Sequence, residues 1–145
     1  MPAADDRHDL PAAELLRGRR IVASPGALDQ ATYPPDALVL RIAPDDALVI
    51  GGGTLLVDDP HAIIEDDRGF VSWSFPWPLF DAIVAPFVDW ELPSDGPALA
   101  QGYANGPALA QGCVAGIPAK LWLEAGRVVL VTNAAYAHEL IGRLS

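Results

Sequence analysis

The sequence is short of the groups that carry most recognisable protein chemistry. It holds one cysteine, three histidines and nine basic residues in 145. A lone cysteine, Cys113, with no CxxC partner excludes an internal disulfide framework and a cysteine-rich zinc site, and it fits a reducing cytoplasm. Nine basic residues against nineteen acidic ones, a net charge of −10, exclude the phosphate-neutralising surface that nucleic-acid binding needs. The one basic cluster, Arg17, Arg19 and Arg20, reads as a solvated feature near the N-terminus. No apolar run approaches the ~20 residues that span a bilayer, because proline, glycine or charge interrupts each one. Met1 to Leu10 begins with acidic residues and lacks the apolar stretch of a secretory signal. The expectation is a cytoplasmic protein with neither nucleic acid nor membrane as partner.

What is present is apolar: 51% of residues are hydrophobic and only 19% charged. A chain of this length buries roughly two-thirds of its unfolded surface in one core and needs no covalent staple. Residues 1–30, rich in Ala, Pro, Asp and Arg, read as a partly flexible tail with at most a short helix over Pro11 to Arg17. Residues 31–145 read as one domain. Ala37 to Ala43 and Ala47 to Ile50 are β-rich runs around Pro44-Asp45-Asp46, which predicts a hairpin. A second hairpin is predicted from His61 to Glu65 and Phe70 to Phe75, joined by Asp66-Asp67-Arg68-Gly69. In its second strand Val71, Trp73 and Phe75 share one face. From Pro76 to Ala85 the apolar period changes from two to 3.6, with pairs Leu79/Ile83 and Phe80/Val84, which predicts a short helix limited by Pro86.

Gly96 to Gly102 (GPALAQG) recurs identically at Gly106 to Gly112. Two ten-residue copies are too few and too short for a solenoid, so a local duplication is expected, one copy entering the next strand and the other forming a surface loop over 96–112. A third hairpin is predicted from Val114 to Glu124 and Arg127 to Thr132 around Ala125-Gly126. Asn133 then caps a helix reaching about Leu144, with Tyr136, Leu140 and Leu144 in an i,i+4 stripe. The order ββ-ββα-ββα predicts an α+β fold, an antiparallel sheet built from hairpins with two main helices packed on it.

No motif for chemistry survives inspection. Gly51-Gly52-Gly53 follows a strand but lacks GxGxxG, GK[ST] and an immediate helix, and reads as a flexible turn. His8, His61 and His138 lie in separate segments without metal-ligand spacing, although His61, at a strand start, is the best placed of them. The pairs Asp5-Asp6, Asp45-Asp46, Asp58-Asp59 and Asp66-Asp67 fall in the tail or in predicted turns, without calcium-loop spacing. There is no G-x-S-x-G, and Cys113 has no neighbouring histidine, so it reads as a small buried hydrophobe at a strand start. No catalytic residue, metal or cofactor is expected.

The aromatics are the strongest local signal. Seven of eleven, Phe70, Trp73, Phe75, Trp77, Phe80, Phe87 and Trp90, fall between positions 70 and 90. A strand and a short helix cannot easily turn all of them inward, and aromatic enrichment with charge depletion marks interface cores. Phe70, Trp73, Trp77, Phe80 and Trp90 are the candidate interface residues.

Arg41-Ile-Ala-Pro-Asp-Asp-Ala-Leu-Val-Ile50 resembles the strand-turn-strand "R-x-x-P-D-x-x-L-x-L" segment of the gamma subunit of heterotetrameric sarcosine oxidase. Gln111 to Leu123, which contains a Leu-Trp strand end, Arg127-Val-Val-Leu-Val131 and Ala135-Tyr-Ala-His-Glu-Leu140 resemble that family's C-terminal part in the same order. The similarity spans about residues 37 to 144. It departs from the family in a shortened middle, in the duplicated GPALAQG, and in Phe70-Val-Ser-Trp-Ser74 where a serine- and histidine-bearing strand belongs. The resemblance implies a fold similar to the folate-binding aminomethyltransferase of glycine cleavage. It also implies an accessory, non-catalytic subunit whose larger partners carry flavin, NAD and folate. Two alternatives stay open: a small folate- or pterin-binding module or one-carbon enzyme, with Asp89 or Glu91 beside Trp90 orienting the ring, and a homo-oligomer joined through the aromatic face.

Overall fold

The computed structural model describes residues 10–92 and 107–145. His8, Asp5-Asp6 and the first GPALAQG copy lie outside these residues. Strands run Glu14–Leu15 (β1), Gly18–Val22 (β2), Leu38–Ala43 (β3), Asp46–Ile50 (β4), Ile63–Asp67 (β5), Phe70–Phe75 (β6), Ala108–Val114 (β7), Ile117–Leu123 (β8) and Val128–Asn133 (β9). Helices occupy Pro25–Gln30 (α1), Trp77–Ile83 (α2) and Ala137–Leu144 (α3), with 3-10 turns at Ala85–Phe87 and Ala134–Tyr136. The fold is α+β, as the hairpin-and-helix pattern predicts, but its strands form two sheets, ordered β1-β6-β9-β8-β7 and β3-β4-β2-β5. The chain divides into two compact units: Leu15–Phe70, and the described residues of Met1–Glu14 with Val71–Ser145.

The unit of Leu15–Phe70 is built on β2. Its five residues pair antiparallel with β4 on one side, from Gly18↔Ile50 to Val22↔Asp46, and with β5 on the other, from Gly18↔Asp67 to Val22↔Ile63. The segment read as a tail therefore supplies a central strand and a helix. Gly-Arg-Arg-Ile-Val looks too charged for a strand interior. It is one because Arg20 forks onto Asp46 of β4, with Nε–Oδ1 at 2.5 Å and Nη2–Oδ2 at 2.7 Å, while Ile21 is fully buried. Ser24 caps α1 by accepting the Ala27 amide, and Pro25 starts the helix where no amide is needed. Leu28 of α1 packs with Ile21, Ala23, Ala47 and Val49 in a small aliphatic core. The predicted β3–β4 hairpin is present in register Val39↔Val49, Leu40↔Leu48, with a bulge after Arg41.

The predicted hairpin between the fifth and sixth strands is not. Both strands exist, but β5 pairs with β2 in one sheet and β6 belongs to the other. Asp66 and Asp67, expected in its turn, lie in β5.

The unit of Val71–Ser145 has the larger core. Val71, Trp73 and Phe75 of β6 all face it, as the period-two pattern predicts, together with Trp77, Phe80 and Ile83 of α2, Leu121 and Leu123 of β8, Val128 and Leu130 of β9, and Leu140 of α3. The β8–β9 hairpin is present around Ala125-Gly126, and a further hairpin joins β7 to β8, from Ala108↔Leu123 to Val114↔Ile117. The second GPALAQG copy thus enters a strand. At the β7–β8 turn, Ala115 and Gly116 both have positive φ, 50° and 79°. Asn133 caps as expected, its side chain accepting the Ala135 amide at 2.9 Å, but what it caps is the 3-10 turn Ala134–Tyr136, and α3 begins only at Ala137.

Candidate functional site

The candidate interface aromatics are mostly core residues, which corrects the expectation of an exposed aromatic face. Trp73 is 3% exposed, Trp77 6% and Phe80 fully buried. The strand and helix that carry them lie in one core, so period two in β6 and period 3.6 in α2 converge on the same interior. Trp77 stacks edge-on to Phe80 at 5.5 Å, and its indole N–H donates to the Glu124 carbonyl at 2.6 Å. Trp90 is half-buried because it lies on β7. Its indole N–H donates to the Cys113 carbonyl at 2.8 Å, and a Cβ at Gly112 would come within 2.5 Å of the ring. Phe70 is half-buried, and Asp89 and Glu91 are exposed. Cys113, expected to be buried, is exposed.

Leu15 and Leu56 are exposed singly, but two adjacent exposed apolar residues occur on β5. It is one of the two edge strands of its sheet, with β3 at the other edge, and its isoleucines Ile63 and Ile64 are 55% and 46% exposed. Successive strand residues point to opposite faces, so apolar side chains protrude on both sides of this edge. Ile63 pairs with Val22, itself 40% exposed, on one of those faces. The rest of β5 is Glu65-Asp66-Asp67.

The same unit contains an open cavity of about 260 Å³, lined by Arg17, Gly18, Arg19, Gly51, Gly52, Asp66 and Arg68. Strand register explains how residues so far apart in sequence meet. Gly18 pairs with Ile50 on one side and Asp67 on the other, so the residue before it, Arg17, falls between Gly51 and Arg68. Arg19 lies opposite Asp66 and holds the glycine loop, its Nη2 donating to the Gly53 carbonyl at 3.0 Å and the Gly51 carbonyl at 3.4 Å. Gly51 and Gly53 take φ of 122° and 129°, conformations that side-chain-bearing residues rarely adopt. Arg17 and Arg68 are exposed and make no hydrogen bond or ion pair with the described residues. The sequence signal for this site was divided between two features, the arginine cluster and the glycine run, and only the pairing of β2 with both neighbours joins them.

His61 is exposed, its amide donating to Asp59 at 2.9 Å. Asp59 also accepts the Ser24 amide at 2.8 Å, and these two backbone donors hold its carboxyl below the usual range. Among the described residues, no group of three His, Cys, Asp or Glu side chains is placed to hold a metal ion, and no helix is long and apolar enough to cross a membrane. No protein-family model matches the chain, and no curated protein matches it.

Proposed function

We propose that the chain is a non-catalytic interaction subunit that docks on a larger protein through the open edge of β5. One observation carries this reading: this edge strand exposes Ile63 and Ile64 on its two opposite faces. A strand solvated on one face alternates apolar and polar residues, whereas a strand to be covered on both faces carries adjacent apolar ones. An added strand would pair with the free backbone edge while its flanking side chains cover both isoleucines. The remaining residues of β5 define that partner. If two copies paired antiparallel about Glu65, its carboxylate would meet its own counterpart and Ile63 would face Asp67. Like charges directly opposite are destabilising, so the acidic half of the strand opposes self-association. The fitting partner is a different chain whose strand carries apolar side chains followed by lysine or arginine. The resemblance to sarcosine oxidase gamma subunits supports a flavin- or nicotinamide-dependent oxidoreductase as that partner.

The test is co-purification of the tagged chain from its own cells at native expression. A larger flavin- or nicotinamide-carrying subunit is expected in stoichiometric amount, lost in Ile63→Lys/Ile64→Lys while the free chain keeps its melting temperature. Unchanged co-purification by the double variant, or a β5-dependent homodimer by light scattering, contradicts the reading.

A further inference from the structure

The two unpaired arginines of the cavity support a second site, which shares only Asp66 with β5. We infer that Arg17 and Arg68, with the Gly51-Gly52 loop, form a binding site for the phosphate group of a small phosphate monoester. Arg17 and Arg68 each lie one residue beyond the last β2–β5 pair, Gly18↔Asp67, and both line the cavity, where like charges repel. Neither side chain is neutralised by a described residue, in a chain whose net charge is −10. An acidic protein that lines one cavity with two unpaired arginines keeps a repulsion there that a bound anion removes.

Charge and geometry narrow the anion. Three arginines against one aspartate leave a surplus of two positive charges around the cavity, matching a phosphate monoester near neutral pH. Guanidinium groups present paired donors that fit phosphate oxygens two at a time. Arg19 acts as a positioning residue, since its bonds to the Gly51 and Gly53 carbonyls fix the loop beside the two free arginines. Asp66 supplies an acceptor on the same wall, suited to a hydroxyl elsewhere on the ligand. The cavity, about 260 Å³, is smaller than the ~300–1,000 Å³ typical of drug-sized ligands, so it admits a small molecule.

Isothermal titration of the full chain with glycerol 3-phosphate, inorganic phosphate and malonate, at fixed ionic strength, tests the assignment. Glycerol 3-phosphate and phosphate should bind, the monoester more tightly, and malonate should bind more weakly than either. Arg17→Gln and Arg68→Gln should each weaken glycerol 3-phosphate about tenfold, as loss of one charge-assisted contact does. Arg127→Gln, which makes the same change in net charge within the other unit, should leave affinity unchanged. Arginine side-chain Nε–H resonances of the unaltered chain give a readout that needs no variant, and those of Arg17 and Arg68 should shift on titration. No binding at 10 mM probe, malonate equal to the monoester, phosphate bound with the monoester excluded, Arg127→Gln as damaging as Arg17→Gln, or unmoved Arg17 and Arg68 resonances would each overturn it. Docking through β5 involves none of these arginines, so either proposal can fail alone.

Discussion

The two units use their side chains in opposite ways. The unit of Val71–Ser145 turns its aromatics inward, with Trp73, Phe75, Trp77 and Phe80 in one core. The unit of Leu15–Phe70 has a smaller core of Ile21, Ala23, Leu28, Ala47 and Val49, and it leaves Val22, Ile63 and Ile64 in solvent at one end of β2 and a group of arginines at the other. A side chain already packed in a core cannot also serve a partner. The aromatic unit, although it too has an edge strand in β7 and exposes Phe87 and Tyr136, is scaffold by its packing, and the plainer unit combines an edge strand apolar on both faces with unpaired cations.

If that division is right, substitutions should separate cleanly, and the largest effect belongs to the scaffold. Phe80→Ala removes a fully buried ring and should cost about 3–5 kcal/mol in denaturant unfolding. Gly112→Ala comes next. The added methyl meets the Trp90 indole, so we expect a loss of about 1–3 kcal/mol and, by NMR, a displaced indole N–H resonance as its bond to the Cys113 carbonyl breaks. A methyl tolerated there would mean that Trp90 is not seated on β7.

A smaller effect tests the β8–β9 turn by pH. Burial pushes the Glu124 carboxyl up, but hydrogen bonds from Arg127 and Trp122 outweigh it and hold the group below its ordinary value of 4.5. A carboxyl lowered on folding stabilises fully above its unfolded value, and that contribution is lost as pH falls through the folded one. Glu124→Gln should flatten this acid limb by no more than about 1 kcal/mol in a pH series of unfolding curves, because the pair is solvent-screened. The smallest effect on stability is expected at the proposed edge. Ile63→Lys/Ile64→Lys should change stability by less than about 0.5 kcal/mol per site while abolishing partner docking, the reverse of the Phe80→Ala outcome.

Local features of the fold were readable because they depend on near neighbours. The β3–β4 and β8–β9 hairpins announce themselves through Pro44-Asp45-Asp46 and Ala125-Gly126, the Asn133 cap through its side chain, and the buried face of β6 through alternation at 71, 73 and 75. Partners distant in sequence were not readable. The short stretch between His61–Glu65 and Phe70–Phe75 suggests a hairpin, yet β5 joins β2 some forty-five residues upstream, as in Ile21↔Ile64. Nothing local in Gly-Arg-Arg-Ile-Val advertises a central strand, since Arg20 meets Asp46 and Asp67, and Arg19 the glycine carbonyls, only after pairing. The cavity was hidden for the same reason. Its arginines and glycines look unrelated until β2 lies between β4 and β5, whereas the aromatic cluster was conspicuous and proved to be interior.

The claim that the unit of Leu15–Phe70 is the docking unit is tested most directly by site-specific photocrosslinking in the chain's own cells. A benzophenone side chain at position 63 is compared with one at position 81, where Asp81 is exposed on α2 of the other unit. The account predicts one larger protein crosslinked from position 63 and none from position 81. Crosslinking to that protein from position 81 alone, or equally from both positions, would contradict it.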